Sequence, residues 1–316
     1  MGNFLTKKKS NNNNKYYKII DSSKSQNLLE SFEKLEYNEN TNSRKSNYFM
    51  PDDDIETERL QQYHYMLKHL CDGNFRSPIH ELFSSGSCKV LDLGCGPGTW
   101  VLDMGTSFYN NKKSEFIGID FSPNFPIQIK PANTHFIQAN ILDGLPFEKD
   151  EIDFIHIGTL GSCFSESQWI DLVLPDIFRV MKSGSWIEFL EPNGNSTNCG
   201  PYYRKFYEAF EREMISLEVN PNIVTKYKDW FLSDSRFTNV HEEIRYLPIG
   251  SWDENNKLGK IGQENFHTFL KNMEHRLSKQ LDVSLEEYDH LLSNLFQECY
   301  EYKTEIPFHC VYAQKR

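Results

Sequence analysis

Five short apolar runs organise the middle of this chain, and most of them stop at a polar or acidic residue. The first is Val90-Leu91-Asp92-Leu93, after which the chain opens into Gly94-Cys95-Gly96-Pro97-Gly98-Thr99. The second, Phe116-Ile117-Gly118-Ile119, has Asp120 at its end, and the third, residues 134–139, runs into Asn140-Ile141. The fourth is Ile152-Asp153-Phe154-Ile155-His156-Ile157, and the fifth covers residues 185–190. Short apolar runs bounded by turn signals read as buried strands. The interval from Thr99 to Ser114 has room for one crossover helix, and residues 172–181 have helical spacing before the turn Lys182-Ser183-Gly184. Strands alternating with helices predict an α/β fold with a doubly wound parallel sheet and right-handed crossovers.

On either side of this core, residues 55–70 predict a helix with Leu60, Met66, Leu67 and Leu70 on one face. Residues 201–218 predict another, opened by Pro201 and carrying Tyr203, Phe206, Tyr207 and Phe210. A sixth strand is expected over 238–247, two helices over 266–279 and 284–300, and a last strand over 306–313.

The loop after the first strand carries chemistry. Glycines at 94, 96 and 98 let the backbone turn sharply and approach a ligand where a side chain would clash. A dinucleotide fingerprint needs its third glycine at position 99, which is Thr, so that reading fails on spacing. In doubly wound sheets ligands sit at the carboxyl ends of the strands. Asp120 stands at such an end, where a carboxylate can accept hydrogen bonds from both hydroxyls of a ribose.

The glycine loop and the acidic strand end resemble the first motifs of the Rossmann-like methyltransferases that use S-adenosylmethionine. That resemblance implies a mostly parallel seven-stranded sheet with helices on both faces and an antiparallel last strand. It implies a cofactor site built from Asp92, Gly94, Cys95, Gly96, Gly98, Asp120, Phe121, Asn140, Ile141 and Gly158. In it Asp120 holds the ribose, the amide oxygen of Asn140 accepts from the adenine amino group, and Ile141 packs on the ring. Tyr48-Phe49-Met50-Pro51, Glu58-Arg59-Leu60, Gln62-Tyr63-His64-Tyr65, Gly96-Pro97-Gly98-Thr99-Trp100 and residues 140–147 are similar to one branch, the fungal methyltransferases related to regulators of secondary metabolism. With Glu191-Pro192 the likeness covers about residues 48–195. The chain departs from that branch at His156-Ile157-Gly158, where relatives read His-Met-Arg or similar, and at Ser183-Gly184-Ser185, where they read Pro-Gly-Gly.

The activity implied is in-line transfer of a methyl group from S-adenosylmethionine to a small-molecule acceptor through oxygen, nitrogen or carbon. The alternative is a cofactor-binding regulatory protein that acts through partner proteins with little or no catalysis. Methyl transfer from a sulfonium asks mainly for positioning and exclusion of water, with a general base where the acceptor must lose a proton. Glu191, at the end of the fifth strand, is the candidate for that base or for an acceptor-orienting group. His156, His64 and Tyr203 are further acceptor-side candidates, and His156 also reads as a strand residue facing a helix.

Composition adds boundaries. Residues 1–47 hold Asn11–Asn14, many Ser and Lys and few aliphatic residues, which predicts a disordered basic tail before a methyltransferase domain over 48–316 with a helical insertion at about 262–301. The tail has nine Lys/Arg and five Asp/Glu, leaving −15 for the rest of a chain whose net charge is −11. An acidic domain argues against a nucleic-acid partner. Seven scattered cysteines without a C-x-x-C pair predict neither structural zinc nor a disulfide framework, and no metal site is expected. With no signal segment or long apolar run, the expected location is intracellular and cytoplasmic. Met1-Gly2-Asn3-Phe4-Leu5-Thr6 followed by Lys7-Lys8-Lys9 fits N-myristoylation of Gly2 with a polybasic second signal, which would give peripheral membrane contact.

Overall fold

Seven strands carry the fold: β1 (Lys89–Leu93), β2 (Glu115–Asp120), β3 (Thr134–Gln138), β4 (Ile152–Gly158), β5 (Met181–Pro192), β6 (Phe237–Pro248) and β7 (Glu305–Lys315). Their order in the sheet is β3-β2-β1-β4-β5-β7-β6, with β1 to β5 parallel and β7 antiparallel to both of its neighbours. The computed structural model describes residues 48–316 except 85, 111–112, 197 and 253–256, and before them only three two-residue strand segments. Lys9–Ser10 pairs with Asn13–Asn14, and Lys18–Ile19 lies antiparallel along the edge of β3 as a short eighth member of the sheet. The remainder of the expected tail, including Gly2, Lys7 and Lys8, lies outside the described residues. Among the described residues no helix is long and apolar enough to cross a membrane.

The helices are α1 (Asp54–Leu70), α2 (His80–Ser84), α3 (Thr99–Ser107), α4 (Glu166–Gln168), α5 (Leu174–Val180), α6 (Pro201–Ser216), α7 (Tyr227–Ser233), α8 (Lys257–Asn272), α9 (Glu274–Leu281) and α10 (Leu285–Tyr302). Alternate side chains of each parallel strand feed opposite faces, as the period of two requires. Leu91, Ile155, Ile187 and Phe189 pack toward Trp169 and Tyr227, whereas Val90, Phe116 and Phe154 pack toward Trp100, Val101 and Met104 of α3. A separate apolar cluster joins α6 to the α8–α10 insertion and β7 through Phe206, Tyr288, Leu292 and Phe308.

The helical segments differ from the sequence pattern in two places. The helix expected over 172–181 is preceded by a π-helical turn, Trp169–Val173, that buries Trp169. In the insertion, α8 starts at Lys257, before the expected 266, and the chain breaks at Met273 to make three helices of the expected two. Gly259 and Gly262 hid that start because glycine is a poor helix former. Here they allow close packing: a Cβ on Gly259 would stand 2.2 Å from the Gly250 carbonyl oxygen, and one on Gly262 2.7 Å from that of Pro248.

One buried polar row crosses the sheet below the site. The register sets Asp92 of β1 beside His156 of β4, and His156 beside Glu188 of β5. Glu188 accepts from the backbone N–H of Arg76 and Ser77 at 2.9 and 2.7 Å and from the Ser77 hydroxyl at 2.5 Å, clamping the loop after α1 onto the sheet. Unpaired buried donors cost about 1–3 kcal/mol each. Glu188→Ala is therefore expected to lower unfolding free energy by about 2–4 kcal/mol in urea denaturation, with Glu188→Gln losing less because its amide oxygen still accepts.

Candidate active site

The strand ends and the glycine loop build the first cavity. Gly94 and Cys95 both donate their N–H to the Ile119 carbonyl, at 2.8 and 3.0 Å, which ties the loop to the end of β2. Gly96 donates its N–H to Asp120 Oδ2 at 2.8 Å, and Ser122 donates to Asp120 Oδ1 at 2.8 Å. Gly96 has φ +51°, and a Cβ there would meet nothing nearer than Leu60 Cδ1 at 3.6 Å, so this part of the loop presents bare backbone to the cavity. Burial, the hydrogen bonds notwithstanding, raises the Asp120 carboxyl to about 6, with Asp92 and Asp52 adding like charge.

Of the ten residues expected to hold the cofactor, Asp92, Gly94, Cys95, Gly96, Asp120, Phe121, Asn140, Ile141 and Gly158 line this cavity of about 210 Å³. Gly98 is not among the lining residues. Its φ of +75° makes the turn into α3, and a Cβ would sit 2.4 Å from the Phe136 ring, so packing explains that glycine. Asn140 Oδ1 accepts from Leu142 N at 3.1 Å, so this side chain is held by the turn that follows β3.

His156 sits on the floor. Its Nδ1 lies 2.8 Å from Asp92 Oδ1, its ring stacks on Trp100 at 4.2 Å, and Trp100 Nε1 donates to the Asn74 carbonyl at 2.8 Å. His156 Nε2 is buried and has no partner among the described residues. Above the cavity, α1 is fastened to α3 where Asp103 Oδ2 meets His64 Nε2 at 3.0 Å and Lys68 Nζ at 2.7 Å. Burial works against the Asp103 charge, but these two partners prevail and hold its carboxyl below the usual range.

A second cavity of about 210 Å³ adjoins the first, and Tyr48, Glu56, Leu60, Tyr63, Thr159 and Cys163 line both. Its wall is mainly apolar and rich in aromatic rings, among them Tyr203, Phe206 and Tyr207 of α6 and Phe266 and Phe269 of α8. Charged groups enter its wall at two places. Arg59 makes a paired contact with Glu56 at 2.6 and 2.7 Å and reaches Asn265 Oδ1 at 3.1 Å, joining α1 to α8. Glu191 is the other, and its Oε1 accepts from Leu160 N at 2.7 Å and Gly161 N at 2.8 Å. Burial pushes the Glu191 carboxyl up to about 8 against the pull of those two bonds.

The four acceptor-side candidates thus separate. Glu191 and Tyr203 line the second cavity, and His64 and His156 line the first. The Tyr203 hydroxyl is occupied, donating to the Gly194 carbonyl at 2.9 Å. Trp100, Thr159 and Cys163 line the site without having been singled out as contributors. An aromatic, a Thr and a Cys near strand ends are as common in a core as at a ligand.

The methyltransferase-domain family matches residues 84–271, more than half of the chain. Among curated proteins, the chain is 24% identical to the N-methyltransferase verN of Clonostachys rogersoniana, over 86% of this chain and 93% of that protein. It is 25% identical to the N-methyltransferase gliN of Aspergillus fumigatus, over 79% and 90% respectively. It is 28% identical to the secondary metabolism regulator laeA of Monascus pilosus over 68% of this chain, which spans 58% of that longer protein. A structure of Haemonchus contortus phosphoethanolamine N-methyltransferase 2 with S-adenosyl-L-methionine aligns at TM-score 0.46 and 15% identity, over 98% of this chain and 70% of that one. The chain belongs to the methyltransferase-domain family and is a class I, S-adenosylmethionine-dependent methyltransferase related to the laeA branch.

Proposed function

We propose that the methyl group goes to a nitrogen of a small, largely apolar molecule held in the aromatic cavity, with Glu191 as proton acceptor. The observation that carries this reading is the second cavity itself. It adjoins the first, its wall is rich in aromatic rings, and one carboxylate oxygen, Glu191 Oε2, has no hydrogen-bond partner among the described residues. Aromatic rings with a single carboxylate suit a ring-bearing amine, which a cation–π contact and the carboxylate both favour. The names of two relatives that align along most of this chain, N-methyltransferases verN and gliN, agree with nitrogen as acceptor.

The first cavity fits the methyl donor. Asp120 offers a carboxylate for ribose hydroxyls, Gly96 a bare backbone, and His156 Nε2 a buried polar atom awaiting a partner. S-adenosylmethionine supplies a methyl group on a positively charged sulfur, whose C–S bonding pair returns to sulfur as the nitrogen lone pair forms the new C–N bond. Glu191 then serves at Oε2, receiving the proton that the nitrogen carried. The two backbone N–H groups on Oε1 keep the carboxylate aimed while its charge changes. The aromatic wall keeps water from competing for the methyl group.

A second reading, a cofactor-binding regulator, draws on the likeness to laeA. The two readings part in one experiment, incubation of the protein and methyl-labelled donor with phenethylamine, tryptamine and their N-methyl derivatives. Label appearing in an amine supports transfer to nitrogen. Donor binding without transfer to any amine, at any pH from 6 to 9, removes the nitrogen reading.

The donor site predicts that Asp120→Asn weakens S-adenosylmethionine binding by about tenfold or more, because hydrogen bonds to a charged group contribute about 1.5–3 kcal/mol. In the unaltered protein only the ionised carboxylate accepts from both hydroxyls, so affinity should rise as pH climbs through about 6. Calorimetric titration from pH 5 to 8 checks this, and a flat profile counts against the ribose role.

For Glu191 the rate should rise with pH through about 8 and then level, since the base works ionised. Glu191→Gln should lower the rate by about a hundredfold or more while donor binding stays unchanged. A carboxyl whose folded value is raised stabilises the fold when protonated, and that advantage fades as pH rises through about 8. Glu191→Gln should therefore hold its melting temperature between pH 7 and 9 better than the unaltered protein, as followed by calorimetry.

A further inference from the structure

We infer that Thr159 orients the acceptor: its hydroxyl oxygen accepts the N–H of the bound nitrogen and turns the nitrogen lone pair toward the donor cavity. The inference rests on the nitrogen reading above and adds to Glu191 a hydroxyl at the seam between the cavities.

Three independent observations meet at this residue. Thr159 lines both cavities, which places the residue at the seam where donor and acceptor must come together. It has φ +55°, and among the described residues it is the one β-branched side chain in the left-handed region. The other non-glycine residues there are Asp72, Asp150, Glu218, Asn239, Asp282 and Lys303, and none of them lines either cavity. Finally, its hydroxyl has no hydrogen-bond partner among the described residues, although the residue is half-buried.

The left-handed turn has a clear structural purpose. The N–H of Thr159 donates to the Leu190 carbonyl at 3.1 Å, and the next two N–H groups, of Leu160 and Gly161, converge on Glu191 Oε1. Successive N–H groups after such a turn form a concave anion seat. Glycine would make this turn without strain, and both Gly158 and Gly161 are already glycine. The backbone thus accounts for the left-handed geometry and leaves the choice of threonine unexplained. Strain kept at a cavity wall points to what the side chain does there. A hydroxyl both donates and accepts, and one facing an amine can take its N–H while Glu191 takes the proton that leaves.

The test uses the full chain, the labelled donor and whichever of the aryl-alkyl amines above is methylated. Thr159→Val keeps the branched shape and loses the hydroxyl. It should lower kcat by about tenfold, the scale of one hydrogen bond, with donor affinity and melting temperature unchanged. Thr159→Ser restores the hydroxyl and should restore kcat to within about threefold of the unaltered protein. Thr159→Gly should raise the melting temperature by relieving the turn and still lose kcat. A valine variant that turns over like the unaltered protein overturns the orienting role, as does one whose donor affinity falls in parallel with kcat. Failure of the unaltered protein to methylate any amine defeats the nitrogen reading instead, and this inference falls with it.

Discussion

The working edge of the sheet depends on how β4 leaves it. Parallel strands end with polar backbone groups at one edge, and those groups must be satisfied within a site that also excludes water. Glu191 does this for two of them at once by reaching from the end of β5 to Leu160 N and Gly161 N. The bond fixes the exit of β4, and that exit carries Gly158 to the first cavity and Thr159 into the wall shared by both. Gly161 has no room for a side chain here, since a Cβ would stand 2.3 Å from the Tyr227 hydroxyl. A carboxylate, a glycine and a tyrosine from three elements therefore constrain one turn.

Acidic groups gather around the first cavity. Asp52, Asp92 and Asp120 all line it, and the first two help to raise the third. Such crowding costs free energy in the protein alone and is relieved by a cation. On the proposed placement of the donor, its sulfonium charge is attracted by the same carboxylates that repel one another. The second cavity is different: the Glu56–Arg59 pair cancels its own charge, and Glu191 is the ionisable carboxyl left to set the local charge among the described residues. Two adjoining chambers thus have different electrostatics, one suited to a cation and one to a mainly apolar body.

The first cavity was legible in the chain because the pattern that builds it is local. A glycine loop and a carboxylate at a strand end are short patterns with few other uses, and Gly96 and Asp120 meet where the pattern puts them. Gly98 misled because a glycine needed for a left-handed turn against Phe136 looks the same as one that makes room for a ligand. The second cavity was mostly illegible. Its aromatic wall combines α6 with α8, and the link between α1 and α8, Arg59 to Asn265, spans 206 positions. Aromatic residues at helical spacing read as core until the fold brings them to a cavity. Thr159 was hidden for the opposite reason, since β-branched residues argue against the backbone it adopts. Glu191 stood out because a carboxylate at the end of an apolar strand needs an explanation.

The strand order also bears on how the chain comes to be folded. β7, whose last residue is Lys315, lies between β5 and β6 and pairs with both. During synthesis β5 and β6 emerge early and must wait, with their inner edges open, for a strand made more than fifty residues after β6. Open edges invite pairing with other chains, and long-range pairing is slow. The three insertion helices emerge during that wait, so the nascent chain carries exposed sheet edges until β7 leaves the ribosome. Its yield of folded protein will therefore be governed less by the stability of the finished sheet than by how well those edges are shielded before the last strand arrives.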